Sequence, residues 1–169
     1  MIRDRDNAVT PRDDLVTPHQ LSELTSATAE IVTTATLTVK TGGQGFAEIT
    51  DDAARFVAAA GARDGVLLLY LRHTSASLVI QENADPDVRA DLATALDRLV
   101  PPHQRWRHDS EGPDDMPSHV KTMLTGVSMH VPVTDGALRL GHWQGIFLAE
   151  HRAPRRRREV VLQFIGTRR

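Results

Sequence analysis

The segment that most constrains this chain is Gly65–Arg72, GVLLLYLR, an unbroken apolar run of strand length that ends on a charge. It is far shorter than the roughly 20 residues of a membrane span. With no polar alternation, it reads as a central strand buried on both faces. A fold around such a strand needs layers on either side of it. The 169 residues suit one domain, large enough to bury a core without staples. Hydrophobic residues at 40% and charged residues at 25% match a globular protein. Cysteine is absent, which excludes disulfides, thiolate ligands and a cysteine nucleophile.

The rest of the chain supplies the layers. Glu30–Lys40 is rich in β-branched residues and reads as a half-buried strand, followed by a glycine-rich turn. No Lys-Ser/Thr pair follows those glycines, so a phosphate loop is not indicated. Ile49–Ala60 reads as a helix capped by Thr50 or Asp51, with Phe56 and Val57 inward and Gly61 as its stop. Ser75–Glu82 continues as strand. Asp85 and Pro86 open a second helix, in which Val88, Leu92, Leu96 and Leu99 form a core-facing stripe that ends before Pro101 and Pro102. Pro117–Leu124 predicts a third helix. Ser128–Val133, Ala137–Leu140, Gly145–Glu150 and Glu159–Ile165 predict four more strands, with a tight turn at Thr134–Gly136. The expectation is an α+β fold: a mixed β-sandwich of about seven or eight strands with three helices, in a single domain over 28–169. Residues 1–27, polar and without periodicity, are expected to form a flexible N-terminal arm. They carry charges where a signal peptide needs an apolar stretch, so the cytoplasm is the expected location.

Polar residues gather in three places. The buried run empties into His73, Thr74 and Ser75, with Asn83 one strand further on. His73 is either a site residue or satisfied by local hydrogen bonds. The second place is Glu111–His119, EGPDDMPSH. Asp114 and Asp115 sit where a helix dipole favours negative charge, and capping accounts for one of them. It does not account for His119 in the first turn, where a neutral imidazole could accept a proton or bind a metal. The third is His142-Trp143-Gln144 between glycines, then Glu150-His151-Arg152. Trp143 either stacks on a ligand ring or plugs the core. His73, His119 and His151 could supply three zinc ligands if the fold joins them. The run Arg155–Arg158 reads as solvated, or as a phosphate patch. A net charge of −2 and no aromatic interleaving give no argument for nucleic acid, and no segment argues for a membrane.

Three of these stretches, His73–Leu92 (HTSASLVIQENADPDVRADL), Glu111–Gly126 (EGPDDMPSHVKTMLTG) and Leu140–Arg152 (LGHWQGIFLAEHR), resemble the signature blocks of the YjbQ family. The ending RRREVVLQFIG is similar to its last strand, and the resemblance spans about residues 30–166. It implies a β-sandwich with helices assembled as a homotrimer. It also implies a low thiamine-phosphate synthase activity, joining a hydroxymethylpyrimidine diphosphate to a thiazole phosphate with release of pyrophosphate. His73, Asp114, Asp115 and His119 then stand at catalytic positions. Ser75, Asn83, Lys121, Trp143, Gln144 and Arg152 stand at positions for a small phosphorylated substrate. A divalent metal, Zn or Mg, could be held by His73, His119 and His151, or by Asp114 or Asp115. Members often have threonine where this chain has His142, and cysteine where it has Ala149. Any role of that cysteine must be dispensed with here. A metal-dependent hydrolase of a small phosphorylated metabolite and a non-enzymatic trimeric metabolite-binding protein are the alternative readings.

Overall fold

A computed structural model describes residues 24–102 and 104–169. The expected arm over 1–27 falls outside the described residues up to residue 23, while residues 24–30 run exposed into the first strand. Among the described residues the order is β1 (Ile31–Thr41), β2 (Gly45–Glu48), α1 (Thr50–Ala59), β3 (Ala62–Leu71), β4 (Ala76–Glu82), α2 (Pro86–Leu99), α3 (Asp115–Thr125), β5 (Ser128–Thr134), β6 (Ala137–Leu138), β7 (Gln144–Glu150) and β8 (Arg156–Arg168). The strands form a five-stranded sheet, β1-β8-β3-β5-β6, and a three-stranded sheet, β2-β7-β4. Every pairing among them is antiparallel. The α+β sandwich of one domain is thus the observed architecture. No helix among the described residues is long and apolar enough to cross a membrane.

The core lies between the sheets. Leu67, Leu69 and Leu71 of β3, Val160, Leu162 and Phe164 of β8, and Val131 and Val133 of β5 point inward. Ala76 and Leu78 of β4, Ile146 and Leu148 of β7, and Ala53 and Val57 of α1 close over them. Each large side chain so buried is worth about 1.5–3 kcal/mol relative to exposure.

The structure corrects four local expectations. The GVLLLYLR run is buried on one face only: Val66 and Leu68 are half-buried and Tyr70 is 46% exposed. Its second apolar face belongs to the outside of the five-stranded sheet, beside Val161 and Ile165 of β8. The stripe on α2 does not reach the core. No residue of that helix is fully buried and Leu99 is 72% exposed, the buried place being taken by Val100 just past its end. Neither Thr50 nor Asp51 caps α1: Ile49 holds the N-cap position, and the Thr50 hydroxyl donates to Glu48 Oε1 at 2.8 Å. Asp85 does cap α2, accepting from the Asp87 N–H at 2.8 Å with Pro86 in the first turn. β6 is shorter than expected, its two residues pairing with Val133 and Thr134. The connecting Asp135-Gly136 turn has φ of 51° and 75°, as a two-residue hairpin loop requires.

One end of the sandwich collects the polar chemistry. The chain passes between the two sheets three times there: from β1 to β2, from β3 to β4, and from β7 to β8. The register puts Thr41 opposite Arg156 and Ala76 opposite Glu150, so the three crossings meet.

Candidate functional site

Arg158 organises this end. It is 1% exposed at the start of β8 and faces Glu150, buried at the end of β7. The guanidinium donates from Nε to Glu150 Oε2 at 2.7 Å and from Nη2 to Glu150 Oε1 at 2.6 Å. This fork pairs two planar groups with little freedom. Burial raises the Glu150 carboxyl, but the Arg158 bonds, the Arg152 N–H and the Thr41 hydroxyl outweigh it and hold it below its usual value. Arg158 also donates to Ser75 Oγ at 3.1 Å and, from Nη1, to His73 Nδ1 at 2.8 Å. A guanidinium has no acceptor, so His73 Nδ1 carries the lone pair and Nε2 the proton. Burial first, and then the Arg158 charge, lower the His73 pKa, which keeps the ring neutral. Ser75 therefore orients Arg158 rather than facing open solvent.

The start of α3 holds the second cluster. Asp114 makes no helix-capping bond. Its Oδ2 accepts from Arg152 Nε at 3.2 Å and from the Ala153 N–H at 2.8 Å. These interactions, against the upward push of burial, keep its carboxyl low. Asp115 is buried, and its Oδ1 pairs with Arg152 Nη1. Its Oδ2 lies 2.8 Å from His108 Nε2 and 3.7 Å from His119 Nε2. Neither approach has hydrogen-bond geometry, and this buried oxygen has no hydrogen-bond partner among the described residues. His119 pairs through Nδ1 with the Thr74 carbonyl at 2.8 Å. A carbonyl only accepts, so His119 Nδ1 carries the proton and Nε2 offers its lone pair toward Asp115. One ligand atom from each of His108, Asp115 and His119 falls within 4.8 Å of the others, the one such group found among the described residues. An unsatisfied buried carboxylate oxygen, two imidazole nitrogens and an outer shell that fixes the His119 tautomer fit a divalent metal.

The metal trio expected from the sequence is divided. His119 joins the group just described. His73 spends its Nδ1 lone pair on Arg158. His151 lies buried with Nε2 2.9 Å from Ser77 Oγ, and burial, then the Lys121 charge, lowers its pKa to about 4. Lys121 is itself buried and paired with Asp97, which also accepts from Gln44 Nε2 at 2.9 Å. Burial raises the Asp97 carboxyl, and these partners more than reverse that. Lys121 thus braces α3 against the end of α2.

Asn83, Trp143 and Gln144 stand elsewhere. Glu82 pairs with Gln144 and Ala76 with Glu150, so the Trp143 loop lies six strand positions from the cluster, roughly 20 Å along the strands. Trp143 is 59% exposed and packs on His142, with ring centroids 4.3 Å apart; it neither plugs the core nor reaches the cluster within one chain. Gln144 closes its own loop by accepting from the Gly141 N–H at 2.7 Å. Two residues of the cluster were not singled out in the sequence. His108 sat in a segment read only as polar loop. Arg158 ends the run Arg155–Arg158, which reads as solvated or as a phosphate patch; the strand expected over Glu159–Ile165 in fact begins at Arg156, and its alternation puts Arg158 on the inward face of Val160 and Leu162. A usable signal was present in Asp115 and His119, which stand four apart and so share a helix face.

An open cleft of about 820 Å³ borders the cluster, lined by Tyr70, Arg72, His73, Thr74, His119 and Met123 among others. A smaller one of about 340 Å³ adjoins it between Arg72, His73, Arg157 and Glu159.

Comparison with known proteins gives the family. Residues 35–167 match the family model described as UPF0047 protein YjbQ-like. The UPF0047 protein sll1880 of Synechocystis is 45% identical over 131 residues, covering 77% of this chain and 89% of the relative. UPF0047 protein YjbQ of Salmonella typhimurium is 43% identical over 132 residues, covering 78% and 96%. The crystal structure of a YbjQ-like protein of unknown function from Sulfolobus solfataricus superimposes with a TM-score of 0.75 at 26% identity, over 81% of this chain and 99% of that one. A conserved hypothetical protein from Thermus thermophilus superimposes with a TM-score of 0.67 at 40% identity, over 75% and 97%. With the family model matched over most of its length and relatives above 40% identity, this chain belongs to the UPF0047 YjbQ-like family.

Proposed function

We propose that this protein is a divalent-metal-assisted transferase of the thiamine-phosphate synthase type, acting on a small phosphorylated substrate. The observation that carries this reading is the buried Asp115 Oδ2, without a hydrogen bond from any described residue and faced by the Nε2 atoms of His108 and His119. Two imidazoles and one carboxylate suit zinc better than magnesium, which prefers oxygen ligands and retained water. A divalent ion held there would supply positive charge to a departing diphosphate. Arg152 holds the other oxygen of Asp115, so the carboxylate presents one oxygen and cannot turn. Thr74 fixes His119 in the matching tautomer. In the reaction implied, the C–O bond between the pyrimidine methylene and the diphosphate breaks, and its electron pair leaves with pyrophosphate. The thiazole nitrogen lone pair forms the new C–N bond, which leaves the ring nitrogen quaternary. No net proton transfer is needed.

A homotrimer is part of the same proposal. Its support is the outer face of the five-stranded sheet, where Val66, Leu68, Tyr70, Val161 and Ile165, with Gln163 and His130 beside Leu68, are only partly covered by the described residues. A cytoplasmic setting, where phosphorylated precursors occur, also belongs to it.

The test is a product assay with the pyrimidine diphosphate and the thiazole phosphate, before and after chelation. Equal amounts of pyrophosphate and thiamine phosphate, lost on chelation and in Asp115→Asn, support the reading. Pyrophosphate release with no C–N product would contradict the transferase and favour the hydrolase. Full turnover in Asp115→Asn would contradict any role for the cluster.

A further inference from the structure

His73 and His119 stand on the same cleft with opposite tautomers. His119 offers a lone pair, whereas His73, bonded at Nδ1 by the buried Arg158, can offer only an Nε2–H. A neutral N–H donor with its acceptor nitrogen already spent is a poor metal ligand and a good partner for an anion. Two cations share the adjoining recess with it, Arg72 and Arg157. Glu159 stands 3.9 Å from Arg72 Nη1 and 3.9 Å from Arg157 Nη2. That is beyond hydrogen-bond distance, so Glu159 gathers the two guanidiniums without using their donors. Arg157 has one long contact, 3.5 Å to Thr38 Oγ1. Among the described residues, most side-chain N–H groups of both arginines therefore have no acceptor and can meet a ligand with several acceptor oxygens.

We propose that the His73 Nε2–H, Arg72 and Arg157 form a phosphate-binding subsite beside the His108, Asp115 and His119 cluster, with Arg158 as the residue that positions His73. This rests on the reading of a phosphorylated substrate and adds which group is held where. A terminal phosphate lies on the arginine side of His73, while the reacting end lies toward His119. The bidentate bond to Glu150 keeps Arg158 from swinging into the recess, so the positioning device and the anion-binding arginines are separate groups.

The subsite can be tested without turnover, on the full chain treated with chelator. Titration calorimetry with inorganic pyrophosphate and with inorganic phosphate gives the affinities, and nitrogen-15 spectra of labelled histidine show which ring nitrogen is protonated. His73→Ala is expected to weaken pyrophosphate binding about tenfold or more, the loss of one hydrogen bond to a charged group. His73→Gln, whose amide N–H reaches a similar point, should recover most of that loss. Arg157→Ala should weaken binding comparably. Asp115→Asn should leave it intact, even if zinc uptake fails in every form; that result would count against the metal centre and leave the subsite standing. A His73 proton on Nδ1 would overturn the proposal, as would unchanged affinity in the His73→Ala, Arg157→Ala double variant. Pyrophosphate bound only when zinc is added, and lost in Asp115→Asn, would assign the anion to the metal and overturn it as well.

Discussion

Asp115 divides its two oxygens between a cation and a pair of imidazoles, and most of the chemistry proposed here follows from that division. Among the histidines at this end of the sandwich, one ring nitrogen of His119 meets a carbonyl, one of His73 a guanidinium and one of His151 a hydroxyl. His151 gives the clearest pH signature. Its pKa near 4 in the folded chain compares with 6.5 for a free imidazole, so between those values the unfolded chain binds the extra proton. Stability should therefore fall as pH drops from about 6.5 to 4, by on the order of 3 kcal/mol for this residue. Asp97, Asp114 and Glu150, held low, stabilise fully above their ordinary values of 3.8 and 4.5, and that share is lost only at lower pH. Urea titrations across pH 4–7 should show the upper slope, and His151→Gln should flatten it. An unchanged slope would mean that His151 is charged in the fold. The residue types at the site were legible in the sequence, because His, Asp and Arg clustered in three blocks. Their pairing was not, since a tautomer depends on a partner up to 85 residues away.

β8 shows how an element can hide its function. Its first residues, Arg156-Arg157-Arg158, look like one basic run, yet strand alternation turns Arg158 inward and Arg157 outward, while Arg156, on the face of Arg158, is exposed at the strand's first position. Replacing Arg158 with Met should destabilise the chain by about 3–5 kcal/mol, because it strands the buried Glu150 charge. Arg155→Ala, at an exposed position in the preceding loop, should stay within about 0.5 kcal/mol. Denaturant melts of both variants check this, and similar losses in the two would contradict the distinction. Strand boundaries were mostly legible because β-branched runs and turn glycines mark them. Two apolar patterns misled for one reason. The β3 run and the α2 stripe are each apolar beyond what the core of one chain covers. Periodicity reports an apolar face and not what packs on it.

For the whole molecule, that surplus apolar surface is the argument for assembly. The outer face of the five-stranded sheet should be covered by other copies of the chain, giving a species of three times the 18.6 kDa chain mass in sedimentation equilibrium. Leu68→Lys, at the middle of that face, should shift it toward monomer; a monomeric parent protein would contradict the trimer. The order of the blocks and the two-sheet fold were legible from the sequence, whereas the distance of the Trp143 loop from the histidines came only with the register of β4 on β7. The central claim concerns one point in space, and anomalous diffraction at the zinc edge from zinc-soaked crystals tests it most directly. The expected result is a peak between His108 Nε2, His119 Nε2 and Asp115 Oδ2 that disappears in Asp115→Asn. Zinc density at His73 or His151 instead, or none at the three named atoms, would contradict it.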